Sequence, residues 1–289
     1  VKGVEGLTQA QRDAVGRAWR LLVIFLTVVY ALFPVVWMVS ASFNPTGSLS
    51  GQPLIPANPT LENYVELFER DYWRWMSNSI IVATVTAVLS VLVSAVSAYA
   101  FSRFRFYGRR SLLLTVFLVQ VFPNTLSMVA TFLLIQLIGR YVPFFGLNSL
   151  GGLILVYLGG AMGINTWLMK GYFDTVPRDL DESAKIDGAT DWQIFWLIII
   201  PLVRPILAVV AILSFVSTYG DYLLALVLVN REEYYTLAVG LSIFIGDNFS
   251  QRWGAFSAGA LIGAIPIVII YLVLQDFIVG GLTAGSVKG

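Results

Sequence analysis

The segment Val176 to Trp192 is a polar island in a chain that is otherwise strongly apolar. Its chemistry is that of charged contact, because Arg178, Asp179, Asp181, Glu182, Lys185, Asp187 and Asp191 crowd into it. The chain has no His and no Cys, which removes His-based acid–base catalysis, disulfides and the usual imidazole and thiolate metal ligands. Within the island, Glu182, Ala184 and Gly188 are followed at fixed distance by Ile198, Ile200 and Pro201. The segment reads as two short helices broken at Gly188. Pro177 suits a helix start, Gly188 a C-terminal cap, and Thr190 or Asp191 the N-cap of the second helix. Taken alone, Glu-x-Ala reads as an ordinary amphipathic connector.

What must position this island is a membrane bundle. Hydrophobic residues make up 57% of the chain and charged residues 12%, against about 25% charged in a soluble domain. Mean hydropathy is +0.79. Six stretches reach the length of about 20 residues that a helix needs to cross a bilayer: Trp19 to Ser42, Ser79 to Phe101, Leu112 to Ile138, Gly151 to Met169, Pro201 to Val229 and Ala255 to Val279. Six spans put both termini on one side. Of the 18 Lys and Arg residues, all but Arg70, Arg74, Arg140, Arg231 and Arg252 fall on the side of the termini and the polar island. The positive-inside rule makes that side the cytoplasm. The cluster Arg103, Arg105, Arg109 and Arg110 reads as a topology anchor, with no nucleic-acid role.

Residues 1–18 read as a polar cytoplasmic segment, 19–281 as the membrane domain and 282–289 as a cytoplasmic tail. The first span, lacking a small-residue cleavage pattern, is expected to be retained. The four prolines between Asn44 and Pro59 predict an extended external loop. Leu61, Tyr64, Leu67 and Phe68 predict a short interfacial helix, continued by Tyr72, Trp73 and Trp75 as headgroup anchors. Ser90, Ser94 and Ser97, with the pairs Gly159/Gly163 and Gly259/Gly263, predict close helix packing. Pro123 and Pro266 are expected to bend their spans. Intramembrane charge is sparse, and only Asp221 lies deep in an apolar stretch, either as a hydrated or hydrogen-bonded carboxylate or as part of a pathway. No phosphate-binding Gly-Lys-Ser/Thr loop is present, so ATP would be hydrolysed by a separate subunit. A secondary carrier or channel acting alone is the alternative.

The spacing of the island resembles the coupling loop, or EAA motif, of ABC importer permeases, with Ser183 in place of the middle Ala and Ile200 in place of the usual Leu. The runs Ala98 to Phe106, Gly146 to Asn148, Tyr157 to Gly160, Lys170 to Phe173, Tyr235 to Gly240 and Gly281 to Gly289 are similar to those of MalG-like permeases of maltose and maltodextrin uptake. The resemblance covers nearly all of the chain after the first external loop.

That resemblance implies an all-α membrane protein, a six-helix type I ABC importer permease bundle with a cytoplasmic coupling helix, in a bacterial inner membrane. It implies a second, MalF-like permease, two ATPase subunits that carry ATP and Mg, and an extracytoplasmic sugar-binding protein. Maltose, maltodextrins or trehalose are the expected cargo, and the chain itself is expected to be no enzyme and to hold no cofactor or metal. Glu182, Ser183, Ala184 and Gly188 are implied in coupling to the ATPase, with Glu182 facing a basic residue there and Ala184 allowing close approach. The tail Ala284, Gly285, Ser286, Val287, Lys288 and Gly289 is implied to reach between the ATPase subunits. The loop Gly246, Asp247, Asn248, Phe249, Ser250 and Gln251 is implied to enter the cleft of the binding protein.

Overall fold

The long apolar runs emerge as helices in the computed structural model of the chain, which describes residues 8–45, 52–121, 123–246 and 251–284. In chain order the helices are α1 (Gln9–Ser42), α2 (Glu62–Phe68), α3 (Tyr72–Arg103), α4 (Arg109–Val121), α5 (Asn124–Tyr141), α6 (Leu150–Phe173), α7 (Asp179–Ile186) and α8 (Asp191–Gln193). A π-helical stretch, Ile194–Ile199, joins α8 to α9 (Ile200–Leu202). Then come α10 (Arg204–Tyr219), α11 (Leu223–Leu228), α12 (Leu237–Ser242) and α13 (Trp253–Ala284). No strand is present among the described residues.

Among the described residues four helices are long and apolar enough to span a membrane, and two bent pairs raise the number to as many as six. The third expected span is one such pair, turned through 102° between Arg109–Gln120 and Thr125–Tyr141. Pro123 stands at the N-cap of α5, where its missing N–H and its ring end one helix and start the next. Pro266, by contrast, sits inside α13, which runs through it without a break.

The fifth expected span, Pro201 to Val229, is corrected more deeply. Its helical path starts at Asp191, turns through 79° between Leu202 and Arg204, and ends at Tyr219. Pro205 occupies the first turn of α10, the place where a missing donor costs nothing, whereas Pro201 follows the π-helical stretch within the path Asp191–Leu202.

The chain divides into two compact units, Val1–Arg70 with Phe244–Ile262, and Asp71–Ile243 with Gly263–Gly289. In the first, Asn63 on α2 donates to the carbonyls of Ser42 at 2.9 Å and Asn44 at 3.0 Å, capping the exit of α1. Tyr64 Oη donates to Ser42 Oγ at 2.9 Å. The short helix expected at Leu61 to Phe68 is therefore present, and its polar face is its anchor.

In the second unit α3 packs along α6 and α10. One apolar cluster joins Ala95, Ala98 and Tyr99 of α3 to Met169 and Phe173 of α6, Phe195 of the π-helical stretch and Val210 of α10. Another joins Val82, Ile135, Leu153, Leu228 and Val239. Asn165 donates to Ser90 Oγ at 2.8 Å and Ser214 Oγ at 2.9 Å, a polar staple across α3, α6 and α10. Tyr72 and Trp75 do not continue the short helix as headgroup anchors: they begin α3 and are fully buried. The Trp75 indole fills the space over Gly240, where a Cβ would lie 2.2 Å from the ring. Trp73, between them, is exposed.

Candidate functional site

Helix α7 has eight residues, too few for a stable helix on its own, so its position depends on what holds it. Two faces divide the work. Asp181 and Ala184, three residues apart, are buried, whereas Leu180, Glu182, Ser183, Lys185 and Ile186 are exposed, Ile186 by 87%. Three acidic residues, Asp179, Asp181 and Glu182, occupy the first turn, where the helix dipole favours negative charge.

The C-terminus of α7 is a complete Schellman motif. Gly188 N–H donates to Lys185 O at 3.1 Å and Ala189 N–H to Ala184 O at 2.9 Å, with Gly188 in the left-handed region at φ 84°. Thr190, one of the two N-cap candidates in the sequence, then forms a capping box with Gln193. Lys185 Nζ bridges the turn to Asp191 Oδ1 at 2.8 Å, and that bond holds the exposed ammonium above its ordinary pKa. Pro177 lies just outside α7, before the N-cap Arg178. Ile198 and Ile200 pack against the same apolar cluster as Ala184.

The end of α3 grips the connection from α6 to α7 and the inner face of α7. Ser102 Oγ donates to Asp174 Oδ1 at 2.7 Å, and Lys170 Nζ reaches Asp174 Oδ2 at 2.5 Å. Arg178 donates to the carbonyl of Ser102 at 2.8 Å, and Arg103 Nη2 to the carbonyl of Val176 at 3.1 Å. Arg103 Nε stands 2.9 Å from Asp181 Oδ2, with the two side chains only 7% and 11% exposed. That last contact is a charge pair without an aligned hydrogen bond, since both groups lack a well-directed partner there. Burial pushes the Asp181 carboxyl above its ordinary pKa, against the pull of Arg103, Lys185 and Arg178. Burial also pushes Asp174 upward, but the bonds from Lys170 and Ser102 outweigh it and leave that carboxyl below its ordinary value.

The residues expected to couple are thus divided. Glu182 and Ser183 face outward, Gly188 makes the turn, and Ala184 packs into the chain's own core, where its small side chain lets α7 lie close to the bundle. Arg103, set aside in the sequence as a topology anchor, is a holding residue for α7. Asp181 escaped sequence reasoning, because which face of α7 turns inward is decided by its packing against the end of α3.

Other expected site residues lie elsewhere or outside view. Gly246 and Gln251 are exposed, and Arg252 N–H donates to Phe244 O at 2.7 Å, which closes the base of their loop. Asp247, Asn248, Phe249 and Ser250 lie outside the described residues, as do Gly285, Ser286, Val287, Lys288 and Gly289; Ala284 ends α13.

Residues 90–283 match the family model of the binding-protein-dependent transport system inner membrane component, a range that holds the whole of α7 and its clasp. The chain belongs to this family. This permease is 43% identical over 273 residues to the galactooligosaccharides transport system permease protein GanQ of Bacillus subtilis (strain 168), covering 93% of this chain and 94% of that one. It is 42% identical over 279 residues to the maltose/maltodextrin transport system permease protein MalG of Vibrio vulnificus (strain YJ016), covering 92% and 93%. A crystal structure of a bacterial ABC transporter involved in the import of the acidic polysaccharide alginate contains a chain that superposes with TM-score 0.76 at 27% identity, over 93% of this chain and 98% of that one. The permease therefore has the all-helical fold of an ABC importer permease, and it is a multi-pass inner-membrane transport subunit rather than an enzyme.

Proposed function

We propose that this permease forms one half of the translocation pathway of an ATP-driven importer of neutral oligosaccharides, a maltodextrin or a galactooligosaccharide. A second, MalF-like permease supplies the other half, two ATPase subunits carry ATP and Mg, and an extracytoplasmic binding protein delivers the sugar. The relatives' names support the cargo class, because GanQ and MalG are similar to this chain to nearly the same degree. Both termini and α7 lie in the cytoplasm, supported by the excess of Lys and Arg on that side.

The observation that carries the coupling role is the division of α7 into a clasped inner face and an exposed outer face. A short helix fixed to the long span α3 moves with that span, so a push on Glu182 and Ser183 is delivered to the bundle. Glu182 pairs with a basic residue of the ATPase, the loop Gly246 to Gln251 enters the binding protein, and the tail Ala284 to Gly289 reaches the ATPase pair. The test is uptake by membranes that hold the permease with its neighbouring-gene partners: sugar should accumulate only with ATP, ATPase subunits and binding protein all present. Uptake by the permease alone would make it a carrier or channel instead.

A further inference from the structure

Within the second unit, α5, α6 and α10 line a half-open cavity of about 550 Å³, within the roughly 300–1,000 Å³ of small-molecule sites. Its lining mixes apolar side chains with Thr131, Tyr157, Asn165, Ser217 and Asp221. In a hydrocarbon setting such groups are costly unless water or a polar solute meets them, and they mark solute paths.

Asp221 decides what kind of solute. Its Oδ1 accepts from Tyr157 Oη at 2.8 Å and from the backbone N–H groups of Leu224 and Ala225 at 3.1 and 3.2 Å, so this oxygen caps α11. Its Oδ2 accepts no hydrogen bond among the described residues, and the hydroxyls of Thr131 and Ser217 likewise have no partner there. The described lining holds no Lys or Arg, so the local charge is that of one carboxylate. Such a wall attracts hydroxyl donors and repels carboxylates.

We infer that this cavity is a carbohydrate subsite contributed by this chain itself, in which Asp221 Oδ2 accepts a hydroxyl proton from a neutral saccharide and its charge turns away uronates. The inference rests on the proposed import function and deepens it by fixing the contact and the charge class of the cargo. The fully held Oδ1 explains why the carboxylate stays in place, and the open Oδ2 explains why a carboxylate rather than an amide is used.

The test uses the complete transporter in proteoliposomes with saturating loaded binding protein. Asp221→Asn keeps a carbonyl oxygen for the cap and replaces the open acceptor with a donor. Uptake of maltotriose or a galactotriose, whichever the wild type imports, should fall about tenfold, the scale of a lost hydrogen bond to a charged group. Because the chain has no Cys, Ser217→Cys gives this subunit a single thiol in the cavity. Its alkylation by a neutral reagent, in complexes arrested with vanadate, should slow several-fold with the imported trisaccharide and stay unchanged with an alginate trisaccharide. Wild-type uptake by Asp221→Asn, or alkylation that no neutral sugar slows, would overturn the subsite and leave Asp221 a helix cap. A wild-type complex that imports no carbohydrate at all would instead overturn the import function.

Discussion

Arg103, the last residue of α3, and Asp181, on the inner face of α7, form a nearly buried charge pair at 2.9 Å. Together with the Arg103 bond to the Val176 carbonyl, the pair ties a short helix to the end of a helix of 32 residues. Removing one partner of a buried pair is far more damaging than the pair is stabilising, because the other charge is left behind.

Arg103→Ala should therefore lower the stability of the purified permease by about 3 kcal/mol. The effect should depend on pH with a defined sign. Asp181 has a folded-state pKa above its ordinary value, chiefly through burial, and loss of Arg103 raises it further. The folded state then holds the proton more tightly than the unfolded one, so stability falls as pH rises through this window and recovers on acidification. Thermal unfolding across pH should show partial acid rescue of Arg103→Ala and none in Arg103→Ala/Asp181→Asn.

Glu182→Lys should separate stability from function. Glu182 is exposed, so the change should cost no more than about 1 kcal/mol, most of it from the helix dipole. Coupled uptake should nevertheless be nearly abolished, and sugar-stimulated ATP hydrolysis with it. Wild-type values for both in a normally assembled complex would remove Glu182 from the ATPase contact.

Gly188 and Gly240 should fail for different reasons. At Gly188 a Cβ meets nothing within 4 Å, but φ is +84°, so Gly188→Ala should cost about 1–2 kcal/mol through backbone strain, with Gly188→Asn milder. Gly240→Ala drives a methyl into the Trp75 ring and should cost about 1–3 kcal/mol through overpacking. Trp75→Ala, which removes the ring atoms that the methyl meets, should couple favourably to the second and not to the first, as read by double-mutant cycles in denaturant.

Asn165→Ala should leave Ser90 and Ser214 without their shared donor inside the bundle. Hydrogen bonds of this kind in membrane proteins are worth about 0.6–2 kcal/mol, and the loss should appear as a lower midpoint in detergent unfolding. Asn165→Asp, which can only accept when ionised, should be worse than Asn165→Ala.

The sequence by itself determined those features whose physics is local. Long apolar runs marked the helices, Gly188 marked a helix C-terminus, Thr190 or Asp191 marked the next N-cap, and the order of short runs marked the permease family. Each depends on residues within one or two turns of each other, or on hydropathy alone. Tertiary structure decided the rest, because helices in an apolar setting carry little signal of which face meets which neighbour. Ser90 reads as a small packing residue until Asn165 and Ser214 are seen to reach it, and Trp75 as a headgroup anchor until Gly240 is found beneath it. Arg103 and Asp181 are far apart in sequence, and their pairing exists only because α7 folds back against the end of α3. The same holds for Asp221, whose two oxygens acquire different roles only when Tyr157 is brought to one of them and a cavity opens beside the residue.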